Sequence, residues 1–240
     1  MTYYTGLLLA VPVANRQTYV DHARQAWPMF QRLGARRMVE CWAEDVPHGT
    51  QTDFHRATQA RDDEAPLFSW IEWPDRATAD AAGARMAEGQ EPEMALMGEM
   101  PFDGMRMMWG GFAPILTVGD SRRGAYVQGF VLAVPADARQ AYVEMAEGAT
   151  RMFADLGATF QTECWGEDVP HGKVTDFHRA VQATPDEVPV FSWVEWPDRA
   201  TCDAAAAQMA AGIEGHDFPQ MPFDGKRMFW GGFTPVVDLP

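Results

Sequence analysis

The chain repeats itself, and this repeat limits its fold more than any other feature. The stretch DVPHGTQTDFHRATQA, which begins at Asp45, returns as DVPHGKVTDFHRAVQA at Asp168, an offset of 123 residues. FSWIEWPDRAT likewise matches FSWVEWPDRAT, and MPFDGMRMMWGGF matches MPFDGKRMFWGGF at an offset of 121. Solenoid repeats have periods of roughly 20–50 residues. Each copy is therefore long enough to be a whole domain.

The repeat divides the 240 residues into two domains, which we place at 1–117 and 124–240. The segment Pro114–Tyr126 contains Gly, Asp, Ser and paired Arg, a composition typical of a connection. We therefore expect it to join the last strand of one copy to the first strand of the next.

Each copy predicts two helices among several strands. Apolar residues spaced three to four apart, from Tyr19 to Leu33, indicate the first helix, and Pro74 and Asp75 mark the start of the second. The predicted strands of the first copy are Tyr3–Val13, Arg37–Asp45, Thr52–Gln59, Leu67–Trp73 and a last one ending at Phe112.

This order favours an α+β fold, with tandem ferredoxin-like domains whose helices cover one face of an antiparallel sheet. The other face carries aromatic side chains that water does not tolerate as a continuous patch. We expect the two copies to pack sheet against sheet, forming an intramolecular dimeric α/β barrel with a cavity in each half.

Charge and cysteine content narrow the functional classes. A net charge of -15, without a local Lys/Arg cluster, argues against binding to nucleic acid or an anionic membrane. The apolar start of the chain lacks a basic leader, and Pro12 ends it far short of a membrane span. Cys41, Cys164 and Cys202 show no CxxC spacing, so we expect reduced packing thiols and a cytoplasmic location.

The repeated hairpin supplies the candidate catalytic residues. In an extended strand Asp53 and His55 point to one face, as do Asp176 and His178. A carboxylate beside an imidazole orients the ring and raises its basicity, which suits a general base. The alternative is a surface ion pair that contributes little.

A metal site is a second interpretation of the same hairpin. Two histidines and a carboxylate suit iron, zinc or copper. The alternative is a solvent-exposed turn histidine. The candidate ligand sets are His48, His55 and Asp53 in the first copy, and His171, His178 and Asp176 in the second.

Arginines follow the hairpin histidines in both copies. Arg56 and Arg179 can bind a substrate carboxylate or enolate through their fork of donors. The alternative for these arginines, and for Arg106 and Arg227, is a structural salt bridge with Glu72 or Asp103.

The motifs DVPHG..TDFHRA, FSW..WPDRA and MPFDGMRMMWGGF resemble a bacterial family of single-domain proteins, number 1428 among the domains of unknown function. The resemblance covers nearly all of both copies and implies the dimeric α/β-barrel fold. The wider fold group includes cofactor-free oxygenases, haem-degrading oxygenases, isomerases and antibiotic-biosynthesis enzymes. Members usually have TSFPRA where this chain has TDFHRA, so Asp53 and His55 depart from the family pattern.

These features together predict an enzyme for a small organic molecule, an oxygenase or an isomerase. The His/Asp pairs act as acid–base groups or metal ligands. The alternative is a non-catalytic ligand-binding or scaffold protein, in which the pairs are open to solvent with no enclosed cavity beside them. Since each copy supplies what a partner subunit supplies in single-domain relatives, we expect a monomer.

Overall fold

A computed structural model describes residues 1–89, 91–95, 98–213 and 221–240. The first half contains β1 (Tyr3–Pro12), α1 (Arg16–Arg32), β2 (Arg37–Asp45), α2 (Phe54–Ala57), β3 (Glu64–Trp73), α3 (Arg76–Ala87) and β4 (Met108–Gly119). The second half contains β5 (Tyr126–Pro135), α4 (Arg139–Asp155), β6 (Phe160–Asp168), α5 (Phe177–Ala180), β7 (Glu187–Trp196), α6 (Arg199–Ile213) and β8 (Phe229–Leu239).

The eight strands close into one antiparallel barrel with the order β1-β3-β2-β8-β5-β7-β6-β4. Two pairings join the halves: β2 with β8, and β4 with β6. Each half thus gives its last strand to the other half's sheet. The predicted intramolecular dimeric α/β barrel is confirmed.

Aromatic side chains fill the barrel. Phe68 stacks on its repeat equivalent Phe191, with ring centroids 4.2 Å apart and planes within 3°. Trp70 stacks on Trp193 at 4.4 Å. Because each pair consists of equivalent residues in contact, both stacks lie on the pseudo-twofold axis (the pseudo-dyad) that relates the halves.

Helices cover the outer face of the barrel. Val20, Ala23 and Trp27 of α1 pack against Ile71 and Trp73 of β3. The second half repeats this arrangement with helices α4 and α6. Large apolar side chains contribute roughly 1.5–3 kcal/mol each when they are fully buried, so both faces of the barrel stabilise it.

The predicted strand Thr52–Gln59 is wrong. Residues Phe54–Ala57 form the short helix α2, and Asp53 is its N-cap, with its side chain accepting from the backbone N–H of Arg56. An Asp carboxylate favours a helix start because it satisfies a free N–H of the first turn. The second copy does the same at Asp176.

The predicted connection at Pro114–Tyr126 is only partly correct, because β4 continues through Pro114 to Gly119. This extension pairs with β6, and Val118 lies opposite Gln161. The register shifts between Pro114 and Leu116, where an irregular ladder tolerates the missing proline N–H. A partner strand from the other half, which local sequence cannot show, extends the strand.

The three cysteines are free and buried, as predicted. Across the described residues, no helix combines the length and the hydropathy that crossing a bilayer requires.

Candidate functional site

In each copy the segment from VPHG to FHRA is a loop followed by the short helix α2 or α5, and these loop–helix segments close one end of the barrel. Phe54 of α2 lies 4.8 Å from Phe229 and 4.9 Å from Phe233, both on the other half's strand β8. Phe177 of α5 contacts Phe112 in the same way, at 5.1 Å. Each loop–helix segment is therefore anchored in the opposite half.

The two candidate aspartates bind backbone amides. Asp53 is 1% exposed. Its Oδ1 accepts from the Arg56 amide at 2.7 Å, and its Oδ2 accepts from the Gly49 amide at 3.0 Å. The corresponding distances for Asp176 are 2.8 and 3.1 Å. Both carboxylates thus hold the loop onto the short helix.

In each copy the two histidines contact each other, an arrangement that the strand prediction does not give. The rings of His48 and His55 lie 4.4 Å apart, and those of His171 and His178 lie 4.6 Å apart. It is His48, with a side chain 76% exposed, whose Nδ1 approaches Asp53 at 3.8 Å. The prediction that Asp53 and His55 share a strand face is wrong, because the backbone there is helical.

The second copy repeats this pairing, with His171 Nδ1 3.7 Å from Asp176. In addition, His178 Nε2 lies 3.1 Å from the Val169 carbonyl oxygen and donates to it in the tautomer that carries the proton there. The His178 ring is thereby held toward its own loop.

The two predicted metal sets do not assemble. Within the described part of the chain, no group of three His, Cys, Asp or Glu side chains has a geometry that could hold a metal ion. Each carboxylate accepts two backbone amides, and the two imidazole rings of each copy lie against each other, tilted by 31° and 36°.

A cleft of about 210 Å³ lies where the two loop–helix segments meet. Residues of both halves line this cleft, which spans the pseudo-dyad, whereas we expected a cavity in each half. Its lining is Gln51, Thr52, Arg56, Ala57 and Gln59 from the first half, and Val174, Thr175, Arg179, Ala180 and Gln182 from the second.

Arg56 and Arg179 are the charged residues of this lining, which contains no carboxylate. Nη1 of Arg56 donates to the Gly49 carbonyl at 2.6 Å, and Nη1 of Arg179 donates to the Gly172 carbonyl at 2.7 Å. Each side chain is 53% exposed. These bonds, with ion pairs to Asp53 at 3.7 Å and Asp176 at 3.3 Å, fix the half-exposed guanidinium groups at the cleft.

The alternative of a structural salt bridge holds for Arg106 and Arg227. Arg106 binds Glu64 at 2.7 Å and Asp103 at 3.0 Å, and this hydrogen bonding holds the pKa of Glu64 below its usual value. Arg227 makes the equivalent bonds to Glu187 and Asp224. The Asp103 alternative is thus confirmed for Arg106, whereas Arg56 pairs with Asp53 at 3.7 Å.

Threonines and glutamines of the cleft connect the two halves, which we did not predict. Thr52 donates to the Ala180 carbonyl at 2.6 Å, and Thr175 donates to the Ala57 carbonyl at 2.8 Å. The available signal was the repetition of Thr and Gln around FHRA in both copies. It could not show that these residues meet across an axis.

A buried acid in each half was also missed. The Tyr19 hydroxyl donates to Glu40 at 2.6 Å, and that of Tyr142 donates to Glu163 at 2.6 Å, between the first helix of each half and the sheet. Burial raises the pKa of both carboxyls, although the tyrosine bonds oppose the shift. The signal was a glutamate inside an otherwise apolar strand, in ECW of both copies.

Comparison with known families agrees with this architecture. The model of the family described as "Protein of unknown function (DUF1428)" matches residues 2–104 and again residues 125–225. The chain belongs to this family, in two tandem copies. Among curated relatives, the "Uncharacterized protein YbaA" of Escherichia coli K12 is 51% identical over 114 residues, which cover 97% of that protein and 47% of this chain. The protein of the same name from Shigella flexneri gives the same values.

Solved structures share the fold at low identity. A "Putative monooxygenase" from Fusobacterium nucleatum superposes with a TM-score of 0.57 and 7% identity, covering 99% of this chain and 94% of that chain. An "anthrone oxidase-like protein" superposes with a TM-score of 0.50 and 11% identity, covering 99% of this chain and 92% of that chain. At such identity the likeness shows the fold alone.

Proposed function

We propose that this protein binds a small organic anion in the cleft on the pseudo-dyad, and that this cleft is its functional site. The observation that carries the proposal is a pair of half-exposed arginines, Arg56 and Arg179, in one cleft lined by no carboxylate. In a chain of net charge -15, two arginines that reach one cleft while their aspartate partners stay buried behind them favour an anionic ligand there.

The size and composition of the cleft define the ligand class further. About 210 Å³ is below the roughly 300–1,000 Å³ of sites for drug-sized molecules, so the ligand is small. Guanidinium groups bind carboxylates through paired N–H donors. A carboxylate or enolate is therefore the anion that we propose.

For the reaction we propose oxygenase- or isomerase-type chemistry on this ligand, with His55 and His178 as acid–base groups. Support comes from the chain itself, because each histidine directly precedes a cleft arginine and its ring lies 4.4 or 4.6 Å from that of a second histidine. Some proteins of the same fold are named as monooxygenase or oxidase-like. We also propose a cytoplasmic location, which agrees with the three free, buried thiols.

A non-catalytic binding protein is the second candidate. It is favoured by the exposure of His48 and His171, whose side chains are 76% and 75% exposed. Oxygen uptake and NMR of the bound carboxylate distinguish the two. The enzyme proposal expects conversion that His55→Ala/His178→Ala abolishes, and a ligand recovered unchanged after long incubation supports the binder.

The binding proposal is tested by calorimetric titration with butyrate, benzoate and succinate at constant ionic strength. We expect Arg56→Gln/Arg179→Gln to weaken binding about 100-fold, because hydrogen bonds to charged groups contribute about 1.5–3 kcal/mol each. The matched control, Arg24→Gln/Arg151→Gln, makes the same charge change on the exposed surface and should bind as the original chain does. Failure of all three carboxylates to bind would overturn the proposal.

A further inference from the structure

The pseudo-dyad divides the cleft lining into two nearly identical sets. Arg56, Thr52, Ala57 and Gln59 each have an identical counterpart in the lining from the other half, and only the pair Gln51 and Val174 differs. Any anion-binding group on one side of the cleft therefore has a copy on the other side.

Gln59 and its copy Gln182 have an unusual backbone. Their φ angles are +51° and +50°, and within the described residues they are the only non-glycine positions with positive φ. The left-handed region is uncommon outside Gly, Asn and Asp, and residues held there cost of order 1 kcal/mol or more and cluster at functional sites. Here the strain occurs twice, in the wall of the proposed site.

This conformation has a visible structural effect. The Gln59 carbonyl accepts from Nη1 of buried Arg106 at 2.7 Å, and the Gln182 carbonyl accepts from Arg227 at 2.8 Å. The backbone of each glutamine is thus held by an arginine that lies outside the cleft lining, which keeps the side chain directed at the cleft.

The side-chain amides of the two glutamines make long hydrogen bonds. Gln59 Nε2 lies 3.4 Å from the Val174 carbonyl, and Gln182 Nε2 lies 3.4 Å from the Gln51 carbonyl. Both distances exceed the 2.7–3.2 Å range of good N–H···O bonds. A carboxylate oxygen is a stronger acceptor than a backbone carbonyl. These amide donors would therefore form stronger hydrogen bonds to a carboxylate ligand.

We propose that the cleft takes one short dicarboxylate per chain, with each carboxylate held by the arginine and the glutamine of one half. This proposal rests on the anion site proposed above and adds its stoichiometry and substrate class. Twofold symmetric donors and a small volume favour a ligand with two anionic ends, since a monocarboxylate would engage the donors of one half only.

The first experiment compares succinate with butyrate, which has the same four-carbon chain and one carboxylate, by calorimetry at constant ionic strength. We expect one succinate per chain, bound at least about tenfold more tightly than butyrate. Equal affinities, or two succinates per chain, would overturn the dicarboxylate proposal and leave the anion site intact. Absence of binding by both would remove the anion site as well.

The second experiment separates recognition from a structural role of the glutamines. Gln59→Gly/Gln182→Gly keeps the backbone carbonyls and relieves the left-handed strain, because glycine adopts positive φ without penalty. We expect an unchanged or higher melting temperature together with about tenfold weaker succinate binding. Undiminished succinate affinity in this variant would show that the glutamines serve the backbone alone.

The third experiment changes the charge of the cleft. Gln59→Glu/Gln182→Glu has the same side-chain size but places two anions in the cleft, and it should abolish succinate binding. The control, Gln17→Glu/Gln140→Glu, makes the same charge change at equivalent exposed positions of α1 and α4 and should bind within about twofold of the original chain. Equal losses in both variants would assign the effect to net charge and contradict the proposed contacts.

Discussion

At the scale of single residues, Asp53 and Asp176 show that a side chain's role depends on its backbone. A strand at this segment would place both carboxylates beside the next histidine as candidate catalytic groups. In the helix that forms, each carboxylate accepts two backbone amides and is buried. Their first role is structural, since they position His55 and Arg56 by holding the loop against the helix.

This role predicts different effects for two substitutions. Asp53→Ala should lower the free energy of unfolding by about 1–2 kcal/mol, because it removes the N-cap acceptor. Asp53→Asn should cost clearly less, because its side-chain oxygen can still accept. Urea denaturation measures both, and His48→Ala serves as the exposed control. Equal costs for the Ala and Asn variants would contradict the capping role.

At the scale of elements, ion pairs tie the turn before each half's last strand to the strand β3 or β7. In the second half Arg227, in the turn before β8, binds Glu187 at the start of β7 with Oε1 at 2.6 Å and Oε2 at 2.7 Å. These bonds lower the pKa of Glu187 from its ordinary 4.5 to about 2. The same arginine holds the Gln182 carbonyl, so the pair also supports the wall of the cleft.

The lowered pKa predicts acid sensitivity with a definite sign. Because the folded state binds the Glu187 proton less readily than the unfolded state, this carboxylate stabilises the fold above pH 4.5 and ceases to do so as the pH falls towards about 2. Glu187→Gln should cost about 2 kcal/mol at pH 7. The difference in unfolding free energy between Glu187→Gln and the original chain should decrease as the pH falls from 4.5 to about 2.

Denaturant unfolding measured from pH 7 to pH 2 provides the check. Glu147→Gln, on the exposed face of α4, is the control and should follow the original chain throughout. A cost for Glu187→Gln that stays constant down to pH 2 would show that the ion pair does not produce the effect.

At the scale of the whole molecule, the two halves close each other's barrel. The pairings β2–β8 and β4–β6 cover all four outer strand edges. An open strand edge is a template for association with another chain. The closed barrel has no such edge among its eight strands. It therefore offers no open edge through which two chains could pair their strands.

We therefore predict a monomer in solution. Sedimentation equilibrium over a hundredfold range of concentration should give the mass of one chain throughout, since one molecule already contains both halves of the barrel. An obligate dimer at the lowest concentration would contradict this prediction and would indicate an additional interface on the outer surface.

The sequence alone determined those features that follow from its repeats and from the spacing of its apolar residues. The duplication, the antiparallel α+β halves, the buried aromatic face and the free thiols were all predicted from repeats and periodicity. Family resemblance implied the same barrel that sheet-on-sheet packing predicts. Candidate residues Arg56 and Arg179 were named by their chemistry, and both line the cleft.

Only the tertiary structure decided how these parts meet. The strand prediction at Thr52–Gln59 failed because the barrel end accepts Phe54 on a capped helical turn, and β4 was longer than predicted because β6 lies beside it. Single-sequence patterns report contacts within a segment, whereas the cleft is made by residues of both copies, 123 positions apart, that the pseudo-dyad relates. Repetition in the sequence named both sets of residues, and barrel closure brought them into one site.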